Sequence, residues 1–284
     1  MSKLFNRPQR QVKYNKKLRD IIMFVYPAQP KIYALAIGLT CALTTIAAWA
    51  ATERLDFDEF DKISYALPYE VEFVAADEHY VSLEGDSDAI EDIEIKLDGS
   101  HLKLSNEDRA WFDWSDHDSD AVFVTIGFSQ LEAIKLAGSG NGFAQIIEAD
   151  DFKVSIAGSA QMEIEELEAN DLIISIAGSG DAEIHALDVD EVDSAIAGSG
   201  NIKLAGQTNA QEITIAGSGD YQARELRANE TDASIRGSGD IEVWSVATLK
   251  ASVMGSGDIE YYGDPDVKES IMGSGNLERR GDRP

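Results

Sequence analysis

Residues 171–180 read DLIISIAGSG, and this stretch contains the pattern that decides the fold. Leu172, Ile174 and Ile176 alternate with other residues, which predicts a β-strand with one buried face. The strand runs into Gly178-Ser179-Gly180. Glycine reaches positive φ without steric cost, so this tripeptide predicts a bend between two strands.

The same pattern recurs eight times at a nearly constant period. The first glycines of the motif are Gly138, Gly158, Gly178, Gly198, Gly217, Gly237, Gly255 and Gly273. Successive motifs are 20, 20, 20, 19, 20, 18 and 18 residues apart, and only the second copy replaces the last glycine, with Ala160. Two places before each first glycine stands an aliphatic residue: Leu136, Ile156, Ile176, Ile196, Ile215, Ile235, Val253 or Ile271.

This period predicts an all-β solenoid of coils of about 20 residues. Each coil holds two or three short strands and stacks on the next at about 4.8 Å, the spacing of paired strands. Parallel crossovers are nearly always right-handed, so we expect a right-handed parallel β-helix over residues 136–278. Residues 55–135 alternate without the motif and are interpreted as the irregular first part of the helix, or its cap. A polar tail, residues 279–284, follows.

The N-terminal region predicts a membrane segment. Residues 1–50 carry eight basic residues and one acid, a net charge of +7, whereas the whole chain carries −28, so the remaining residues carry −35. Residues 32–51 contain no charge and are long enough to cross a bilayer as one helix. We therefore expect a signal anchor in the inner membrane of the cell, crossing it once, with residues 1–31 as a basic cytoplasmic tail. The C-terminal domain would then be periplasmic or extracellular. A cleaved signal peptide is the alternative, since Ala48-Trp49-Ala50 has the form of a cleavage site.

Three stretches of the chain also carry a family resemblance. They are Phe60 to Ile63 with Val71 to Val74; Val81 to Asp86 with the following strands; and the Gly-Ser-Gly-Asp/Asn series. Together they make residues 55–278 similar to the bacterial auto-transporter adhesin family with the head GIN domain. The resemblance implies a β-helix and an adhesive function.

A row of acidic residues is the candidate metal site. Asp220, Asp240 and Asp258 each lie three places after a first glycine, so stacked coils would align them about 5 Å apart. Calcium, which prefers several oxygen ligands, could relieve their mutual repulsion. The alternative is that these side chains form local hydrogen bonds at turns. No other cofactor is indicated.

An aromatic cluster is the candidate binding site. Trp111, Phe112 and Trp114 lie close together in a polar segment, where aromatic side chains can stack on sugars or anchor a protein. Alternatively, they fold over the end of the solenoid.

These features favour a membrane-tethered, non-enzymatic module of the cell envelope that serves binding, adhesion, envelope structure or sensing. The partner would be an envelope protein or a polysaccharide. The strong negative charge of the exported part excludes nucleic acid. Open strand edges at the solenoid ends would permit homo-oligomers. The alternative function is a carbohydrate-active enzyme, a polysaccharide lyase or hydrolase, built on the β-helix.

Overall fold

The structure, a computed structural model, describes residues 51–106 and 122–282. These residues form a single β-solenoid, in which strands of successive coils pair in parallel. The strands are β1 Ala51–Asp56, β2 Lys62–Ala66, β3 Glu70–Ala75, β4 Tyr80–Gly85, β5 Ile93–Asp98, β6 His101–Asn106, β7 Phe123–Phe128, β8 Ala133–Gly138, β9 Asn141–Glu148, β10 Asp151–Gly158, β11 Gln161–Glu168, β12 Asp171–Gly178, β13 Asp181–Gly198, β14 Asn201–Gly217, β15 Asp220–Gly237, β16 Ile241–Gly255, β17 Ile259–Tyr262, β18 Asp266–Gly273 and β19 Leu277–Gly281.

The glycine motifs stack in register from the first copy to the last. Each first glycine pairs with the first glycine of the next coil, from Gly138 with Gly158 to Gly255 with Gly273. From the second motif onwards, each serine donates its backbone N–H to the first glycine of the preceding coil, as Ser179 does to the Gly158 carbonyl oxygen at 2.8 Å. The predicted parallel β-helix with coils of about 20 residues is therefore confirmed, while its right-handed course stays a prediction.

Each coil has three sides, although several strands continue around the corners. In β13, buried and exposed residues alternate until two exposed residues, His185 and Ala186, follow each other. A second exposed pair, Asp190 and Glu191, marks the next corner. Hydrogen bonding continues through these bends, so the two or three predicted short strands of one coil merge into a single strand of 18 residues.

The first part of the solenoid does not follow chain order. The coil built from β2 and β3 lies between the coil of β6 and β7 and that of β8 and β9. Three strands, β1, β4 and β5, pair antiparallel beside this first part. Asp98 ends β5, and the turn that follows it joins β5 to β6 as a hairpin, in which Gly99 has a φ of 63°.

A short helix, α1, interrupts this region at Ser87–Glu91, where no helix was predicted from sequence. Asp86 caps it, since one carboxylate oxygen accepts the N–H groups of Asp88 and Ala89. A five-residue helix is too short to produce an apolar period, so the capping residue is its only sequence signal.

The predicted aliphatic ladder fills the interior of the solenoid. The residues two places before the first glycines, from Leu136 to Val253, are at most 2% exposed. The last of them, Ile271, is 39% exposed because β18 belongs to the last coil described.

Polar residues also occur in the interior, and the sequence pattern did not reveal them. Tyr221, which is fully buried, donates its hydroxyl hydrogen to Gln211 Oε1 at 3.0 Å. Gln211 in turn donates from Nε2 to Thr231 Oγ1 at 3.1 Å. Burial raises the pKa of Tyr221 well above its ordinary value, so this hydroxyl stays protonated. We call these three residues the interior polar cluster.

The N-terminal tail, residues 1–31, and the expected membrane segment lie outside the described residues, except for Ala51 at the start of β1. Within residues 51–106 and 122–282, no helix is long and apolar enough to cross a bilayer. At the other end, β19 reaches Gly281, so strand pairing includes the first residues of the segment predicted as a polar tail.

Candidate binding groove

Two columns of outward-facing side chains follow the glycine motifs along one side of the solenoid. The first column stands three places after each first glycine, and the second stands five places after it. Parallel register stacks the second column coil upon coil. From the first Gly-Ser-Gly coil onwards, its members are Phe143, Glu163, Glu183, Lys203 and Gln222.

A shallow groove of about 670 Å³ runs over these two columns. Glu70, Glu72 and Phe123 line the end of the groove that is nearest to the irregular first part of the solenoid. Glu72 pairs with Phe143, so the second column continues unbroken into the coil of β2 and β3. From Glu72 to Gln222 the column spans five coil steps, or about 24 Å at the ordinary strand spacing.

The groove is acidic, and its one lysine is bound to a carboxylate. Lys203 Nζ lies 2.5 Å from Glu183 Oε1. The hydrogen bond that Lys203 donates to Glu183, together with the negative charge of that carboxylate, raises the pKa of Lys203 above the ordinary value for lysine. The other charged side chains that line the groove, Glu70, Glu72, Glu163 and Asp181, are acids. The groove therefore attracts cationic or hydroxyl-rich ligands and repels anionic ones.

The groove also offers apolar contact area. Phe123 is 43% exposed, and Phe143 is partly exposed beside it. Aromatic faces near hydrogen-bonding oxygens and amides form the kind of surface on which sugar rings and extended peptides stack. The amide groups are those of Asn141, Gln161, Asn201 and Gln222.

The aspartate row forms a ladder of side chain to backbone hydrogen bonds. Asp220 Oδ1 accepts the N–H of Asp240 at 3.2 Å, and Asp240 Oδ1 accepts that of Asp258 at 2.9 Å. Asp258 Oδ1 continues the ladder to the N–H of Asn276 at 2.8 Å. The structure thus brings the three aspartates together in one row, as predicted, and engages one oxygen of each. The calcium site at this row stays a prediction.

General base catalysis by the lysine of the groove is disfavoured. A general base must lose its proton near the working pH, whereas the ion pair with Glu183 holds Lys203 in the protonated form. The coils around Lys203 are also joined by short turns, so no long loop of the described residues encloses this part of the groove.

The candidate residues from sequence and those of the groove differ. Trp111, Phe112 and Trp114 lie outside the described residues, so their predicted role stays open to test. The second column of the groove was missed, although the position five places after each first glycine carries its signal. That position is polar in most copies, but only the coil geometry shows that it borders a concave surface.

Comparison with known proteins decides the family. A family model described as "putative auto-transporter adhesin, head GIN domain" matches residues 59–185 and 155–265. The chain belongs to this family. The matched segments include both the irregular first part of the solenoid and most of its repeats. No curated protein matches the chain.

Solved structures share the fold of this head GIN protein. A putative adhesin from Parabacteroides merdae ATCC 43184 has a TM-score of 0.76 at 21% identity, over 82% of this chain and 97% of that one. A putative adhesin from Parabacteroides distasonis ATCC 8503 has the same TM-score and identity, over 82% and 98% of the two chains. A putative lipid binding protein from Parabacteroides distasonis ATCC 8503 has a TM-score of 0.74 at 24% identity, over 81% and 96%.

Proposed function

We propose that this head GIN protein is a non-enzymatic adhesion module of the cell envelope that binds an extended polysaccharide in its groove. The observation that carries this proposal is the unbroken column from Glu72 to Gln222, which lines an open groove on a rigid stack of strands. Stacked repeats commonly use such extended surfaces for binding. Membership of an adhesin family supports the same class of function.

The chemistry of the groove narrows the polysaccharide class. Glu72, Glu163 and Glu183 favour neutral or amino-bearing sugars, whereas uronic acid polymers would meet like charges. Phe143 and Phe123 provide faces for ring stacking at the end of the groove. An envelope protein with a basic extended segment is the alternative partner.

The tether belongs to the proposal as well. The uncharged residues that precede β1, residues 32–50, would hold the solenoid at the inner membrane as a single-pass anchor, with the basic residues 1–31 on the cytoplasmic side. In that arrangement the groove lies in the periplasm or outside the cell.

Binding tests the groove directly. The full chain is titrated with chitosan oligomers, neutral dextran and anionic alginate, with the Phe143→Ala and Glu183→Gln variants alongside. We expect the wild type to bind either the chitosan oligomers or dextran and not to bind alginate. Both variants should bind at least about tenfold more weakly, because each removes a contact within the groove. Asp193→Asn, an exposed acid on another side of the solenoid, is the charge-matched control.

Two outcomes would contradict the polysaccharide proposal. Equal binding by the wild type and both groove variants would show that any sugar binding is non-specific charge attraction. Binding of a basic peptide, but of none of the sugars, would assign the groove to a protein partner instead.

Location is tested by protease treatment of intact cells beside cells with a permeabilised outer envelope, following the C-terminal domain by immunoblot. Cleavage on intact cells is expected for an adhesin at the surface. Cleavage only after permeabilisation, with the domain retained in the inner membrane fraction, would exclude adhesion and favour a structural or sensing role in the periplasm.

A further inference from the structure

At the edge of the groove, a histidine lies among glutamates of two neighbouring coils. Glu163 and Glu165 belong to one coil, and His185 belongs to the next. One ligand atom from each of the three residues lies within 4.8 Å of the other two. All three side chains are exposed, so an ion from solvent reaches them directly. We call these three residues the corner cluster.

The contacts within the corner cluster show which atoms face one another. His185 Nε2 lies 3.0 Å from Glu163 Oε1. On the other side of the ring, His185 Nδ1 lies 3.6 Å from Glu183 Oε1, and that carboxylate is itself bound by Lys203. Lys203 therefore compensates the charge of Glu183, whereas within the described residues no lysine or arginine forms an ion pair with Glu163 or Glu165.

The solenoid fixes the positions of these ligands. Parallel pairing places Glu163 opposite Glu183, and the corner of the coil projects Glu165 and His185 beside this pair. Both strands lie in the middle of the stack, held by hydrogen bonds to coils on either side. The backbone positions of the three ligands are therefore held in place before an ion binds.

We propose that the corner cluster binds a divalent transition metal ion, Zn²⁺ being the ion best suited to it. One imidazole with two carboxylates is a ligand set that zinc accepts, whereas calcium and magnesium prefer oxygen ligands alone. Three protein ligands leave a coordination position open to water or to another molecule. The ion also neutralises the two uncompensated carboxylates.

This site is separate from the aspartate row in both place and chemistry. Asp220, Asp240 and Asp258 belong to later coils, offer oxygen only, and each gives one oxygen to a backbone N–H. A calcium ion would suit that row, whereas the corner cluster requires an ion that accepts nitrogen. The metal site also stands independently of polysaccharide binding, because it is measured with no sugar present.

The proposal is tested by calorimetric titration of the full chain, freed of metal by a chelator, with ZnCl₂ alone. We expect one site that His185→Ala and Glu165→Gln each weaken by at least about tenfold, as loss of a metal ligand should. Glu166→Gln is the matched control, because Glu166 is the neighbouring exposed acid and is not part of the corner cluster. It should bind Zn²⁺ within about twofold of the wild type.

Two results would overturn the metal site. In the first, His185→Ala binds Zn²⁺ as tightly as the wild type, which would assign the ion to acids elsewhere. In the second, an equal concentration of CaCl₂ displaces Zn²⁺, which would show binding by oxygen ligands alone. Circular dichroism of each variant establishes that the fold is retained, as expected for substitutions at exposed side chains.

Discussion

Single glycine residues in the motif meet two separate constraints, one of conformation and one of space. Gly237 has a φ of 145°, and a Cβ atom there would lie 2.0 Å from the carbonyl oxygen of Gly217 in the preceding coil. That oxygen belongs to the backbone, so it cannot move aside without disturbing the pairing of both coils. We predict that Gly237→Ala destabilises the solenoid by at least about 3 kcal/mol, measured as a fall in the urea midpoint of the full chain.

Gly138→Ala separates the two constraints. Gly138 has a φ of 96°, but a Cβ atom there would meet nothing within 4 Å. This substitution should cost only the conformational strain, about 1–2 kcal/mol. Equal losses in the two variants would show that the close approach of the coils does not contribute.

The interior polar cluster is the second feature that single residues decide. Gln211→Leu removes the acceptor of the Tyr221 hydroxyl and the donor to Thr231 Oγ1 from a buried site, at a cost of about 1–3 kcal/mol. The triple change Gln211→Leu, Tyr221→Phe and Thr231→Val removes the polar groups together and should recover most of the loss. Thermal unfolding of both variants provides the measurement.

Asn209→Ala is the control for the interior polar cluster. Asn209 hydrogen bonds to Asp190 at an exposed corner, so its replacement should change stability by no more than about 0.5 kcal/mol. If the triple variant were less stable than Gln211→Leu, packing of Tyr221 rather than its hydrogen bond would dominate.

At the scale of strands, the period and the aliphatic positions could be predicted because they depend only on distance along the chain. Ile174 and Ile176 could be assigned to the interior because apolar residues alternate with other residues along their strand, so they share one face. Gln211 and Tyr221 could not be paired in this way, since they lie on different sides of the coil and meet only across its interior. The groove was hidden for the same reason: Phe123 and Glu72 join the repeats through spatial stacking and not through sequence order.

The aspartate row makes a prediction that belongs to the strands it joins. Replacing Asp220, Asp240 and Asp258 together by asparagine keeps an oxygen that accepts each backbone N–H and removes the repulsion between neighbouring carboxylates. We expect a higher melting temperature at low salt, with the gain reduced at high salt by screening. The corresponding alanine variant loses the hydrogen bonds and should melt below the wild type.

Calcium at the aspartate row is tested with the same asparagine variant. If calcium binds between the carboxylates, millimolar CaCl₂ should raise the melting temperature of the wild type and leave that of the variant unchanged. An equal shift in both proteins would place any calcium elsewhere.

At the scale of the whole molecule, the ends of the solenoid differ from its middle. Antiparallel strands β1, β4 and β5 pair beside the first coils, an arrangement that no repeat could predict. At the other end, β18 presents Ile271 and Met272 to solvent, at 39% and 68% exposure. Glu269 stands there opposite the buried Ala251, at a position that points inward in the other coils.

An inward-pointing charge on an edge strand opposes pairing with another chain, because stacking a further coil would bury it. We predict that Glu269→Val increases self-association of the full chain through this end, measured by sedimentation over a range of protein concentrations. Glu212→Val, an exposed acid in the middle of the stack, is the control and should leave the association state unchanged. If wild type and Glu269→Val sediment alike at every concentration, the charge does not protect this edge. If the wild type does associate, and a charged residue in place of Ile271 abolishes that association, the predicted homo-oligomer through the solenoid ends is confirmed.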